Sequence, residues 1–178
     1  EKWAYGATYT SRHWAQTLDQ YRDLLRYSLD QPQILQMGVA YDVTPKLELS
    51  FDVKWLDWEG IPAYGKAVED GGFNWKDQFC VKLGAEYKLT EKMRLLAGFA
   101  HGNSPITEDH TFVAGLVPVV VEDHATVGMA YAFNDRHEIN ASMVYGFKNT
   151  IKDSGRGDIF SITGRGSELS SGGVSGVI

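Results

Sequence analysis

The sequence predicts an all-β fold, an antiparallel transmembrane β-barrel with about eight strands in this chain, and three observations predict it. Apolar and polar residues alternate over long stretches. The links between those stretches are short and long in strict turn. One phrase (Gly, two residues, Tyr, two residues, then a polar turn) recurs about 45 residues apart: GVAYDVTPKLEL from Gly38, GAEYKLTEKMRL from Gly84 and GMAYAFNDRHEI from Gly128.

Taken in order, Trp3, Tyr5, Ala7 and Tyr9 make the first apolar face. Leu35, Met37, Val39, Tyr41 and Val43 make the second. In KLELSFDVKWLDW, Leu47, Leu49, Phe51, Val53 and Trp55 share one side, with Glu48, Ser50, Asp52 and Lys54 on the other, the period of two that marks a strand with one apolar face. Phe79, Val81, Leu83, Ala85, Tyr87 and Leu89 follow, then Met93, Leu95, Ala97 and Phe99. Ala125, Val127, Met129, Tyr131 and Phe133 make the sixth face, and Ile139, Ala141, Met143, Tyr145 and Phe147 the seventh. The Ser/Gly-rich tail from Glu168 to Ile178 reads as a weak eighth strand.

Short turns fall at Thr44-Pro45-Lys46, Thr90-Glu91-Lys92 and Asn134-Asp135-Arg136, where Pro45 presets φ and Asn-Asp tolerates left-handed backbone. Long polar connections cover His13–Pro32, Glu59–Asn74, Asn103–Val121 and Asn149–Gly166. Antiparallel strands joined this way put every tight turn at one end and every long loop at the other, as in outer-membrane barrels. The alternating segments also match the ~9–11 tilted residues that cross a bilayer, whereas a strand of a soluble protein typically has about 5–6. Tyr41, Tyr87 and Tyr131 each precede a short turn on the apolar face, the place of an interfacial aromatic girdle.

The opposite face is small and mixed in charge. Its lumen-facing candidates are Glu48, Asp52, Lys54, Lys82, Glu86 and Arg94, whose opposite charges can pair across a barrel interior. In the first long connection Trp14, Leu18, Tyr21 and Leu25 recur at helical spacing, which predicts a short amphipathic helix at the outer rim and marks them as substrate-entrance candidates.

Other chemistries lack their residues. A net charge of -6 and a pI near 5.3 leave no basic surface for nucleic acid. Cys80 is the one cysteine, so no internal disulfide or thiolate zinc site forms. His13, His101, His110, His124 and His137 have no metal-ligand spacing, so no metal is assigned. There is no nucleophile elbow, and GRGDIFSITGRGS lacks the spacing of a phosphate-binding loop. The sequence is read as a non-enzyme that needs no cofactor. Arg156-Gly157-Asp158 resembles an integrin ligand, but three residues in a Gly-rich loop arise by chance.

In order and spacing, PQILQMGVAYDVTPKLELSFDVKWLDW, FNWKDQFCVKLGAEYKLTEKMRLLAGFAHGNSPI and VVVEDHATVGMAYAFNDRHEINASMVYGFKNT resemble the C-terminal half of the FadL-type outer-membrane transporters, uptake channels for long-chain fatty acids and aromatic hydrocarbons. The most specific parts are Asn74-Trp75-Lys76-Asp77, Gly84 to Tyr87, Leu95 to Pro105 and Glu122-Asp123-His124. The resemblance implies a fourteen-stranded barrel closed by an N-terminal hatch. Residues 1–178 are then the C-terminal portion of one barrel domain without the hatch and first strands. Family members end on an aromatic strand, so the Gly176-Val177-Ile178 ending reads as truncated. The implied partners are outer-membrane lipid and a hydrophobic small molecule, in a monomeric barrel in the bacterial outer membrane. A general porin, suggested by the mixed-charge interior, and a barrel that only displays its loops for structural or adhesive purposes are the alternatives. A soluble sandwich is disfavoured, because it would leave apolar stripes in water.

Overall fold

The structure is a computed structural model and describes residues 2–17, 19–21, 26–111, 115, 119–156 and 168–177. Eight strands form one antiparallel sheet in sequence order: β1 (Trp3–Thr10), β2 (Ile34–Thr44), β3 (Leu47–Leu56), β4 (Gln78–Lys88), β5 (Met93–Gly102), β6 (Asp123–Asn134), β7 (His137–Lys152) and β8 (Glu168–Val177). The tail does form a strand, paired with β7 from Lys152 opposite Glu168 to Ser142 opposite Val177. Among the described residues β1 pairs with β2 alone and β8 with β7 alone, so the sheet is open.

The three tight turns share one device. A side-chain oxygen at or just past the end of the incoming strand accepts from amides of the turn and of the first residue after it: Thr44 Oγ1 from Lys46 and Leu47 (3.2 and 3.0 Å), Thr90 Oγ1 from Lys92 within the turn (3.2 Å), and Asn134 Oδ1 from Arg136 and His137 (2.9 and 3.1 Å). Thr and Asn stand there because a short polar side chain can replace a ladder bond where the ladder ends.

Strict alternation divides the sheet into two faces. One ladder row runs Tyr5, Val39, Phe51, Leu83, Phe99, Ala125, Tyr145 and Val174, and its large members other than half-buried Val39 are exposed, Leu83 at 59% and Tyr145 at 46%. An apolar belt of this width is costly in water and suited to lipid. No helix among the described residues is long and apolar enough to cross a membrane, so any crossing is made by strands.

The buried core lies outside the sheet, in the long connections. Ile61, Ala63, Tyr64 and Trp75 from the β3–β4 connection meet Ile106 and Val120 from the β5–β6 connection, with Tyr27, Trp58, Phe73, Val119, Ile151 and Leu169 around them. A bulge in β7 between Gly146 and Asn149 brings the last two there: the extra residue reverses the alternation and turns Ile151 and its neighbour Leu169 onto the polar face. The loop core therefore sits over the outer end of the polar face.

Candidate functional site

The polar face and the long-loop end carry the candidate residues. Register places Glu48, Asp52, Lys54, Lys82, Glu86 and Arg94 together on the face opposite the apolar belt, in rows Asp42–Glu48–Glu86, Gly38–Asp52–Lys82 and Gln36–Lys54–Cys80. They do not pair evenly. Arg94 Nη2 donates to both carboxylate oxygens of Glu138 at 2.9 and 2.8 Å and Nη1 to Glu86 at 3.5 Å. The Asp52 carboxylate turns away from Lys82 and lies over Gly38, where a Cβ would collide with it; Gln36 Nε2 donates to it at 3.4 Å. Lys54 and Lys82 consequently have no carboxylate within 4.0 Å among the described residues. Glycine on this wall gives room to a neighbouring side chain, as Gly84 also does for Ser50.

The three repeated tyrosines do not share a ladder row. Tyr41 is level with Leu49, Ala85, Ala97 and Val127, whereas Tyr87 lies two residues and Tyr131 four residues further toward the turns. That is one residue per strand from β2 to β6. A rise of about 3.3 Å for each strand spacing of about 4.8 Å corresponds to a tilt of about 35°. Outer-membrane strands tilt by ~35–45°, so on tilted strands the tyrosines come to one height.

At the long-loop end the first connection departs from the expected helix. His13 and Gln31 exchange backbone hydrogen bonds at 3.2 and 2.9 Å, and Trp14 to Thr17 are not helical. Trp14 is 77% exposed, and Tyr21 ends a single 3-10 turn, Asp19–Tyr21. Leu18 and Leu25 lie outside the described residues, as do Gly157 and Asp158. Asp30 provides the physical reason. Its buried carboxylate takes Arg12 Nη2 at 2.6 Å, Arg12 Nε at 3.0 Å and the Ala15 amide at 2.9 Å, so this stretch is tied to residue 30 instead of winding on itself. Burial alone would raise the Asp30 pKa, but the bonds from Ala15, Arg12 and Ser28 outweigh it and hold it below the ordinary aspartate range. Burial, and then the Asp30 charge, push the Tyr64 phenol up.

The second and third connections are locked together. Asn74 takes φ 52° and places its amide 3.1 Å from His110 Nδ1. Trp75, 1% exposed, stacks on Tyr64 with centroids 5.0 Å apart and meets Trp58 edge-on at 5.3 Å. The Lys76 amide donates to the Pro105 carbonyl at 2.9 Å, while Asp77 accepts the Trp55 indole N–H and the Glu59 amide, each at 3.0 Å. Asn103 closes the network by donating to the Asp77 carbonyl at 3.1 Å and accepting the Phe79 amide at 2.7 Å. Sequence periodicity could not find this core, because its residues are scattered over two polar connections. The one signal was the motif Asn74-Trp75-Lys76-Asp77.

These features, a tilted wall with an apolar belt and an ordered long-loop end, agree with a family match. The outer membrane protein transport protein family (OMPP1/FadL/TodX) matches residues 6–168. The chain belongs to this family. Among solved structures, the FadL/TodX-family chain resembles the P. putida toluene transporter TodX (15% identity, TM-score 0.61, 83% of this chain and 33% of that one) and a Pseudomonas aeruginosa FadL homologue (16%, 0.54, 84% and 34%). Similar curated proteins are outer membrane protein P1 of Haemophilus influenzae, 24% identical over 124 residues (66% of this chain, 26% of that protein), and the 47 kDa outer membrane protein of Pasteurella multocida, 23% identical over 135 residues (71% and 31%). The chain thus spans about a quarter to a third of the curated relatives it matches. It is an outer-membrane β-barrel chain of a transport family. Among the described residues no group of three or more His, Cys, Asp or Glu is placed to hold a metal.

Proposed function

We propose that this chain is the C-terminal portion of a passive outer-membrane channel for hydrophobic compounds, long-chain fatty acids or aromatic hydrocarbons. The observation that carries the reading is the sorting of its two ends. One end has bare two- to four-residue turns, and the other folds its connections around an aromatic core over the polar face. A barrel that only separates lipid from water has no need of such a cap, whereas a channel that selects apolar molecules needs an ordered outer mouth. The named functions of TodX as a toluene transporter and a monoaromatic hydrocarbon channel support the hydrocarbon arm. Within this reading Tyr41, Tyr87 and Tyr131 form the inner girdle, the charged face lines the lumen, and the first connection, Trp14 included, borders the entrance.

The substrate arm turns on Lys54 and Lys82. A fatty acid carries a carboxylate that either ammonium group can meet, and a hydrocarbon carries none. The test is uptake of oleate and of toluene by cells expressing the full-length protein. Loss of oleate uptake alone in Lys54→Ala/Lys82→Ala assigns the fatty-acid arm and the two lysines to it; unchanged oleate uptake removes the lysines from recognition, and toluene uptake with no oleate uptake in the parent removes the fatty-acid arm. Passage of small hydrophilic solutes with neither apolar probe taken up would establish the porin instead.

A further inference from the structure

We propose that the polar wall from β4 to β7 carries a binding site for a long-chain monocarboxylate: Lys82 and His124 take the carboxylate, and the groove beside Leu96, Gly98, Thr126 and Gly128 takes the apolar chain. This rests on the reading of the polar face as the lumen of an uptake channel, and it deepens the fatty-acid arm of that reading.

Register sorts the polar face into two halves. In its three middle rows the β2–β4 side carries Asp42, Glu48, Asp52, Lys82 and Glu86, whereas the β5–β7 side carries His124 and otherwise no ionisable group. Lys82 is opposite Ala100, and Ala100 is opposite His124, so the ammonium and the imidazole share one row with a single methyl group between them. Two strand spacings of about 4.8 Å set their backbones about 10 Å apart, a gap that one carboxylate held by a lysine and an imidazole can span. The His124 ring rests on Gly146, on the side away from Lys82, with its Cδ2 3.6 Å from the place of a Cβ there. The carboxylates beside this row are engaged elsewhere: Asp52, opposite Lys82, lies over Gly38, and Glu122, two residues before His124, accepts the Ser104 amide at 2.7 Å. The row therefore offers donors to an anion, three N–H groups from the lysine and at least one from the imidazole in either protonation state.

The groove continues inward from that row. A cavity of about 360 Å³ opens beside Leu96, Gly98, Thr126 and Gly128, and Leu96 is 40% exposed on a face whose other members are small or polar at this level. The Leu96–Gly128 row lies four residues from the Lys82–His124 row, about 13 Å along the strands. Glycine keeps the floor low, since a Cβ on Gly98 would meet only the Leu83 carbonyl oxygen at 3.4 Å and the Thr126 Cβ at 3.9 Å. A carboxylate with a long apolar chain matches both ends of this site, whereas a hydrophilic anion matches one and a hydrocarbon the other.

The test compares uptake of oleate and of its uncharged methyl ester by cells expressing the full-length protein. His124→Ala should slow oleate about tenfold, the worth of one hydrogen bond to a charged group, and leave methyl oleate at the parent rate. His124→Lys should restore oleate, which loss of a merely structural contact would not allow. Gly98→Leu, whose Cβ the backbone accepts, fills the groove and should slow both probes by at least as much. Oleate uptake unchanged in His124→Ala, or both probes slowed equally by it, overturns the headgroup site; unchanged uptake in Gly98→Leu overturns the groove. A parent that takes up neither probe, nor toluene, overturns the transport reading beneath them. Photolabelling of the parent protein gives a route that needs no variant, with an oleate bearing a diazirine at the end of its chain. Labels at 96–98 and 126–128 that unlabelled oleate competes away are expected, and competed labels confined to other strands, or none, overturn the site.

Discussion

Arg94 on β5 and Glu138 on β7 meet across the intervening strand: the guanidinium crosses β6 and donates to both carboxylate oxygens at 2.9 and 2.8 Å. The crossing is possible because at that level β6 offers Ala130 and Ala132 on the shared face, opposite Arg94 and Glu138 respectively, and Ala130 is 2% exposed. Small residues under a long charged side chain let two strands that share no ladder exchange a charge-assisted bond.

Ala130→Leu should therefore break the Arg94–Glu138 pair without touching either partner. Both charged side chains remain more than a third exposed, so the pair is worth about 1 kcal/mol or less. A double-mutant cycle with Arg94→Ala and Glu138→Ala in urea-driven unfolding from lipid measures it. In the Ala130→Leu background the coupling should vanish, and a coupling that persists would show that the alanine floor is not needed.

The two faces predict opposite responses to charge. Phe51→Arg sets a guanidinium in the apolar belt, where a midplane Arg costs about 2–4 kcal/mol of folding into a bilayer. Ser50→Arg, one residue away on the polar face, should cost much less. Folding yields into vesicles compare the two directly, and equal penalties would contradict the assignment of faces.

Trp75→Ala removes the centre of the loop core. Truncation of a buried Trp costs about 3–5 kcal/mol, but among the described residues the sheet reaches this cluster only through Ile151 and Leu169 at the outer ends of β7 and β8, so the loss should stay local. Proteolysis between 57 and 77 should rise sharply while the heat-modifiable mobility of the barrel is unchanged. Loss of both would mean that the core also supports the wall.

Acid should loosen the first connection. Because the folded pKa of Asp30 is depressed, its carboxylate contributes stability that is fully present above the unfolded value of about 3.9 and is lost as pH falls through the folded value. Hydrogen exchange at 12–15 and 30–31 should accelerate below about pH 4 in the native protein. In Asp30→Asn it should be fast at neutral pH and show little further change. Arg12→Ala, which strands a buried carboxylate, should cost about 3–5 kcal/mol at neutral pH.

Much of the wall was legible from residues alone. Alternation in KLELSFDVKW and its counterparts located the strands, Thr44, Thr90 and Asn134 marked the turns, and even the tail from Glu168 paired. Neighbouring strands in such a sheet are consecutive in sequence, so local pattern and topology coincide. The first connection shows where that logic stops. Trp14 and Tyr21 have helical spacing, yet a carboxylate at Asp30 claims the amide and guanidinium that would have let the chain wind.

The sequence by itself determined the class of fold, the two faces of each strand and the sorting of turns from loops, because period-two burial and turn chemistry act between near neighbours. Only the tertiary structure decided which loop residues become core, that a bulge turns Ile151 and Leu169 onto the loops, that Asp52 lies on Gly38 and leaves Lys82 without a carboxylate partner among the described residues, and that Arg94 reaches Glu138 over β6. Each of those depends on groups distant in the chain coming within a few ångströms of each other, and strand register and loop packing set that proximity where local pattern does not.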